Sequence, residues 1–203
     1  MDLTGVVVLD LSRILAGPYA TQLLADLGAT VWKIEPPGGD DTRGWGPPFA
    51  VGAGASAGDR DEARSAYFLS VNRHKQSVCV DLSDPRGAAL VQRLAGRADV
   101  VLDNFKVGGL ARFGLDHARL RAAHPRLVTC SITGFGETGP RASEPGYDAA
   151  LQALSGVMAA TGEPDGPPVK LGVAWIDVLT GLHAAVAVLA ALRARDAGGG
   201  GRH

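Results

Sequence analysis

Asp177 stands where an apolar lead-in, "KLGVAWI", meets the start of an alanine-rich helical pattern, "DVLTGLHAA". Two roles suit a carboxylate in that position. It can cap the helix by accepting a backbone N–H, or it can act as a nucleophile, oriented by those N–H groups with little water competing. A second carboxylate, Asp148, follows Tyr147 in "EPGYDAALQALSG", where another helix starts beyond a glycine-rich loop and capping is the simpler role.

Other chemistry sits in short segments that each follow a strand-like run: "SRILAGP", "EPPGGDDTRGW", "DLSDPRG", "DNFKVGGLARFG" and "TGFGETGP". Three place arginine or lysine beside glycine, a combination suited to an anionic ligand or to a plain solvated loop. Familiar nucleotide signatures are missing. The first loop has no GxGxxG and the chain has no GxxxxGK[ST], which argues against classical NAD binding and P-loop chemistry. Glu35 stands where a dinucleotide-binding domain keeps its ribose-binding acid, but the glycines do not accompany it. GxSxG and HExxH are absent, and the histidines at 74, 117, 124, 183 and 203 show no metal-ligand spacing. No metal is expected.

The elements that must position these residues follow from the pattern. Gly5 to Leu11, Ala29 to Ile34, Val78 to Leu82, Val100 to Leu102 and Arg126 to Ile132 read as buried strands. Helical spacing covers Pro18 to Asp26, the stretch after Asp84-Pro85, Asp116 to Ala123, about Ala149 to Ala159 and about Val178 to Arg195. Alternating strands and helices predict an α/β fold, a Rossmann-like parallel sheet with helices on both faces. In such a sheet, ligands bind outside the carboxyl ends of the strands. Residues 36–65 read as a long surface excursion, with a short element at Tyr67 to Leu69.

Composition narrows the class. The chain has 203 residues, 46% of them hydrophobic, with 20 basic and 21 acidic side chains giving a net charge of −1. That balance suits a globular domain and gives no footprint for nucleic acid or an anionic membrane. Cys79 and Cys130 lie in apolar, β-branched runs and predict buried free thiols in a reducing, cytoplasmic setting. The apolar run Leu182 to Leu192 is short for a bilayer and predicts a buried helix. No targeting segment is visible.

Five collinear blocks carry a resemblance: "GVVVLDLSRILAGPYATQLLADLGATVWKIEPPGGDDTRGW", "NRHKQSVCVDLSDPRG", "ADVVLDNFKVGGLARFGL", "PRLVTCSITGFGETGP" and "GYDAALQALSGVMAATGEPDGPPVKLGVAWIDVLTGLHAAVAVLAAL". Together they resemble the N-terminal half of the family III CoA-transferases, which include formyl-CoA transferase, carnitine CoA-transferase and the α-methylacyl-CoA racemases. The resemblance implies that residues 1–195 are the large CoA-binding and catalytic domain. It implies that 196–203 is a glycine-rich truncation point, and that a small domain and an interlocked homodimer complete the enzyme.

It further implies coenzyme A, as acyl-CoA, and a small carboxylic acid as substrates, with neither metal nor NAD. Asp177 falls on the family's nucleophile, which forms an aspartyl anhydride and then an aspartyl-CoA thioester; an ordinary aspartate acidity would keep it ionised at neutral pH. Arg13, Ile14, Leu15 and Ala16 match a loop approaching CoA. Val80, Asp81, Leu82 and Ser83 match the segment near the adenine, Asn104, Phe105 and Lys106 match a further contact strip, and Arg112 matches a phosphate-binding arginine. Pro36 replaces an arginine of relatives, so Lys33 or Arg43 is expected to supply that charge. Racemases carry a histidine where Tyr147 stands, so tyrosine favours transfer over racemisation; the resemblance places Tyr147 with Asp177 in the catalytic site, as a core aromatic whose hydroxyl is expected to cap the loop. A racemase or epimerase, or a non-catalytic CoA-binding fragment, are the alternatives.

Overall fold

The computed structural model describes residues 3–50 and 64–203. In chain order its elements are β1 (Val7–Asp10), α1 (Ala16–Asp26), β2 (Thr30–Glu35), a 3-10 turn (Asp41–Gly44), β3 (Phe49–Ala50), β4 (Arg64–Ser65), α2 (Ala66–Asn72) and β5 (Lys75–Cys79). They continue with α3 (Pro85–Ala95), β6 (Val100–Asp103), a 3-10 turn (Ala111–Phe113), α4 (His117–Ala123), β7 (Val128–Ser131), α5 (Asp148–Leu154), α6 (Val157–Thr161) and α7 (Trp175–Asp196).

Five strands form one parallel sheet in the order β5-β2-β1-β6-β7, and β3 pairs with β4 as a separate two-stranded ribbon. The chain winds outward from β1 in one direction and then from β6 in the other. A topological switch point therefore lies between the carboxyl ends of β1 and β6. Strand side chains alternate between faces. Val8, Val31, Val100 and Val128 pack with Leu24 of α1 and with Val188 and Leu192 of α7. Leu9 and Val101 face the other way, onto Val91 of α3 and Leu120 of α4. The expected two-sided α/β sandwich is present.

Local punctuation explains most element ends. Asp84 caps α3 by accepting from the Arg86 N–H, with Pro85 at the first helical position, and Asp116 caps α4 through the Arg119 N–H. Several boundaries differ from the sequence reading. The edge strand occupies 75–79 rather than 78–82, because Lys75 turns inward to a buried carboxylate and starts the pairing with β2. The helix expected over 149–159 is two short ones, broken at Gly156, whose φ of +81° L-residues avoid.

The last helix starts at Trp175, not Val178, and runs 22 residues, long and apolar enough to cross a membrane by length and composition. One stripe, Gly181, Ala184, Ala185, Val188 and Leu192, is buried at helical spacing, while Leu182 and Val186 face outward. Of the long excursion at 36–65, residues 51–63 lie outside the described residues, and the rest is anchored by buried Asp40, Thr42 and Ser65. Cys79 is exposed on the edge strand rather than buried. Cys130 is half-buried, and burial with the nearby Asp103 charge pushes its thiol up to about 11. At the free edge of β7 the chain end lies alongside, with the Thr129 N–H bonded to the Arg202 carbonyl at 2.8 Å.

Candidate active site

The loop after β1 is held from beneath by two buried ammonium groups. Lys33 Nζ donates to the Ser12 carbonyl and to Asp40 Oδ2, both at 2.9 Å, and the Lys33 and Asp40 side chains are each only 1% exposed. Lys75 Nζ donates to the Pro18 carbonyl at 2.8 Å, to Asp10 Oδ2 at 3.0 Å and to Asn72 Oδ1 at 3.0 Å. Burial alone would raise the Asp10 carboxyl; the Lys75 and Lys33 charges and the Ser12 and Thr21 hydroxyls overcome it and hold it at about 2. Burial in turn lowers Lys75 to about 8. Charges this deep are tolerable only when paired and fully bonded.

The same network fixes the loop's conformation. Ile14 has a φ of +71°, costly for a β-branched residue, and its N–H donates to Asp40 Oδ2 at 3.3 Å. From the other side of the switch point, Asn104 Nδ2 donates to the Arg13 carbonyl at 2.7 Å, and the Arg13 N–H donates to Asn104 Oδ1 at 3.0 Å. Two of the predicted contact strips are thus stitched together by reciprocal hydrogen bonds. Leu15 and Ala16 are buried beneath, Arg13 is exposed, and Asp41 lies 3.6 Å from its guanidinium.

Farther along this edge, Lys106 and Arg112 are exposed, with the Arg112 guanidinium 4.5 Å over the Phe113 ring, while Phe105 packs partly onto the core. On the opposite flank, Val80 is buried and Leu82 packs on the core. Ser83 donates from N and Oγ to Asp81 Oδ1. Val80, Asp81, Asp84 and Gly87 border an open depression of about 340 Å³. Neither proposed substitute for Pro36 is free to bind an anion: Lys33 is consumed by Asp40, and Arg43 forms a two-pronged pair with Glu35 at 2.6 and 2.7 Å. Glu35 is a buried anchor, also accepting from Ser77 and from the Asp40 N–H.

Asp177 belongs to the first turn of α7, and Ala174 is the residue before the helix, so the plain N-cap reading fails. The capping carboxylate is Asp148. Its Oδ1 accepts the Ile176 N–H at 2.8 Å and the Asp177 N–H at 3.3 Å, and its Oδ2 accepts from Gln152 Nε2 at 2.6 Å. Gln152 is fully buried and also bonds the Leu171 N–H and the Val173 carbonyl, fixing the run into α7. The Asp177 carboxylate itself carries no hydrogen bond among the described residues. Burial, then the Asp148 charge, raises it to about 6. That departs from the ordinary acidity expected of it.

Tyr147 is 73% exposed rather than a core aromatic, and its hydroxyl makes no capping bond among the described residues; the residue that reaches the Asp177 backbone is the next one. The aromatic whose hydroxyl feels the carboxylates is Tyr67 on α2. Its phenol is pushed up to about 12 by burial and then by the charges of Asp177, Asp40 and Asp148, and its ring meets Trp45 edge-on at 5.2 Å. Sequence reasoning passed over Tyr67 because its proximity is tertiary; the only hint was an aromatic in a short element after a long loop.

A partly buried carboxylate without a hydrogen bond among the described residues, one helical turn before the point where α7 meets Ala16, has the properties a nucleophile needs. The model for CoA-transferase family III matches residues 3–203. The chain belongs to that family. It is 52% identical over 202 residues to the succinate–glutarate CoA-transferase of Agrobacterium fabrum, covering 99% of this chain and 49% of that protein. It is 48% identical over 191 residues to the human succinyl-CoA:glutarate CoA-transferase, covering 94% of this chain and 41% of that one. Among solved structures, a CAIB/BAIF family protein from Brucella suis superposes with a TM-score of 0.92 at 49% identity, over 99% of this chain and 51% of that chain. The chain thus spans about half the length of the relatives it matches.

Proposed function

We propose that this chain carries the nucleophile and CoA-binding edge of an acyl-CoA:carboxylate CoA-transferase, with Asp177 as the covalent catalyst. The observation that carries the reading is the Asp177 carboxylate, raised toward neutrality and without a hydrogen-bond donor among the described residues. With its acidity near 6 it is roughly nine-tenths ionised at pH 7. It is also more basic than a solvated aspartate, and so the better nucleophile.

Its attack on the thioester carbon forms an Asp177–acyl anhydride and expels CoA thiolate. The thiolate then attacks the aspartyl carbonyl, forming the aspartyl-CoA thioester and releasing the donor acid as its carboxylate. The acceptor carboxylate attacks that thioester, and the returning thiolate takes the acyl group and frees Asp177. Each step exchanges one acyl bond for another, so no nucleotide is consumed.

In this reading the Arg13–Ala16 loop and Asn104–Lys106 carry CoA, Val80–Ser83 border its adenine end, and Arg112 faces its phosphates. The exposure of Lys106 and Arg112 beyond the carboxyl end of β6 supports the roles given to those two cations. The names of the relatives support a small dicarboxylic acid as one substrate. The outward apolar residues of α7, Leu182 and Val186, with Trp175 and Val173 near its start, support an interlocked partner subunit over that face. A cytoplasmic setting, without metal or NAD, fits the same chemistry.

The test uses the complete protein, with and without Asp177→Ala, in an assay for CoA moving from succinyl-CoA to glutarate and other acids. Acceptor-dependent transfer abolished by the substitution is expected. Exchange of the α-hydrogen with deuterated solvent in the absence of any acceptor acid would instead identify a racemase.

A further inference from the structure

We propose that Asp148 is a positioning residue for Asp177: it holds the first turn of α7 through two backbone hydrogen bonds and places a second negative charge near the nucleophile. The inference rests on Asp177 being the nucleophile and adds a residue with a different job. Three observations carry it.

First, the open start of α7 has N–H groups that would ordinarily draw in the nearest carboxylate of the first turn, Asp177 itself. Asp148 occupies two of them, at Ile176 and Asp177, from a different helix. Asp177 is thereby spared a cap's role, and its oxygens stay available for attack. Second, Asp148 is itself fixed. Gln152, one turn along α5, is fully buried and grips Asp148 Oδ2 while bonding the chain at Leu171 and Val173. The cap, its brace and the approach to α7 are joined by one set of hydrogen bonds.

Third, the charges facing Asp177 are of one sign. Asp148 is the only charged group among the described residues that moves Asp177, and it acts upward. The other titratable group sharing this space is Tyr67 from α2, a phenol neutral at working pH, which also feels Asp40. Losing the Asp148 charge should therefore make Asp177 a weaker base, whereas losing the whole side chain should also free the helix start.

Two substitutions in the complete protein separate these effects. Asp148→Asn can keep its oxygen for the Ile176 and Asp177 N–H groups; its amide nitrogen then faces Gln152 Nε2, donor against donor, so that bond is lost and Gln152 Nε2 keeps the Val173 carbonyl as its acceptor. Asp148→Ala removes the oxygen as well. The carboxyl carbon of Asp177 is titrated by carbon NMR, its resonance assigned by its absence from Asp177→Asn. The acid limb of kcat/KM for CoA transfer is followed in parallel.

The expected result is a midpoint in Asp148→Asn lower by roughly half a pH unit or more, about a threefold loss of proton affinity, with the acid limb moving alongside. Asp148→Ala is expected to lose kcat by roughly tenfold beyond the Asn variant, with KM for acyl-CoA little changed. An unmoved Asp177 midpoint in Asp148→Asn overturns the proposal, and so do equal kcat values in the two variants. If Asp148→Ala does not fold, the titration of Asp148→Asn still decides. Because the NMR midpoint needs no turnover, a wild-type protein without CoA transfer would sink the functional reading while leaving the Asp148–Asp177 coupling to be judged on its own.

Discussion

Gly181 lies one turn beyond Asp177 on α7, and a Cβ built at that position would sit 2.5 Å from the Ala16 carbonyl oxygen. This contact sets how closely the helix bearing Asp177 approaches the loop proposed to carry CoA. The absence of a side chain there is a spacing device, and its neighbours cannot yield cheaply, since Ala16 O is backbone and the Tyr19 ring is 3.1 Å away.

On helix propensity alone, Gly181→Ala should stabilise α7 by about 1 kcal/mol. The contact with Ala16 reverses the sign, so we expect a net loss of about 1–3 kcal/mol. Transfer activity should fall at least about tenfold as Asp177 is displaced from the thioester. Chemical denaturation with steady-state kinetics checks both, and a stabilised, fully active Gly181→Ala would show that the approach is not tight.

The raised acidity constant of Asp177 makes a linked prediction about stability. A carboxyl whose folded midpoint lies above its unfolded one favours folding when protonated, and that advantage is lost as pH rises from about 4 through about 6. Asp177→Asn escapes this loss. It should match or trail the wild type below pH 4 and exceed it by about 1–2 kcal/mol above pH 7, after allowance for partial solvent access. A stability difference that is flat with pH would contradict the shift.

Lys33→Met tests the support beneath the loop. The substitution strands the buried Asp40 carboxylate, which also orders the Ile14 N–H, so a loss of about 3–5 kcal/mol is expected. Urea midpoints measure it; a cost below about 1 kcal/mol would mean that the pair is not the support described.

Asn104→Ala removes both bonds to Arg13 across the switch point. With about 1–2 kcal/mol at stake, KM for acyl-CoA should rise roughly five- to thirtyfold while kcat changes much less. An effect on kcat alone would move Asn104 out of the binding role.

Much of this arrangement was legible in the amino-acid sequence, and for definite reasons. The strands from Val7 and Val100 and the helix capped by Asp84 and Pro85 are short-range events, written in periodicity and punctuation. The five blocks of resemblance supplied the family. What stayed hidden depends on pairs far apart in the chain. Lys33 looked like a spare phosphate ligand because nothing local reveals that Asp40 neutralises it in the interior. Asp177 looked like a cap because the true cap, Asp148, comes from 29 residues away. Tyr147 drew attention by position in its block, while Tyr67 enters through the packing of α2 against α1 and the 3-10 turn at Asp41–Gly44.

The central claim is that Asp177 becomes covalently attached during turnover. The complete protein would be incubated with succinyl-CoA, quenched in acid, digested and analysed by mass spectrometry. The expected result is a CoA thioester on the peptide carrying Asp177, reversed by adding an acceptor acid and absent from Asp177→Ala. An adduct on another residue, or transfer undiminished in Asp177→Ala, would contradict it.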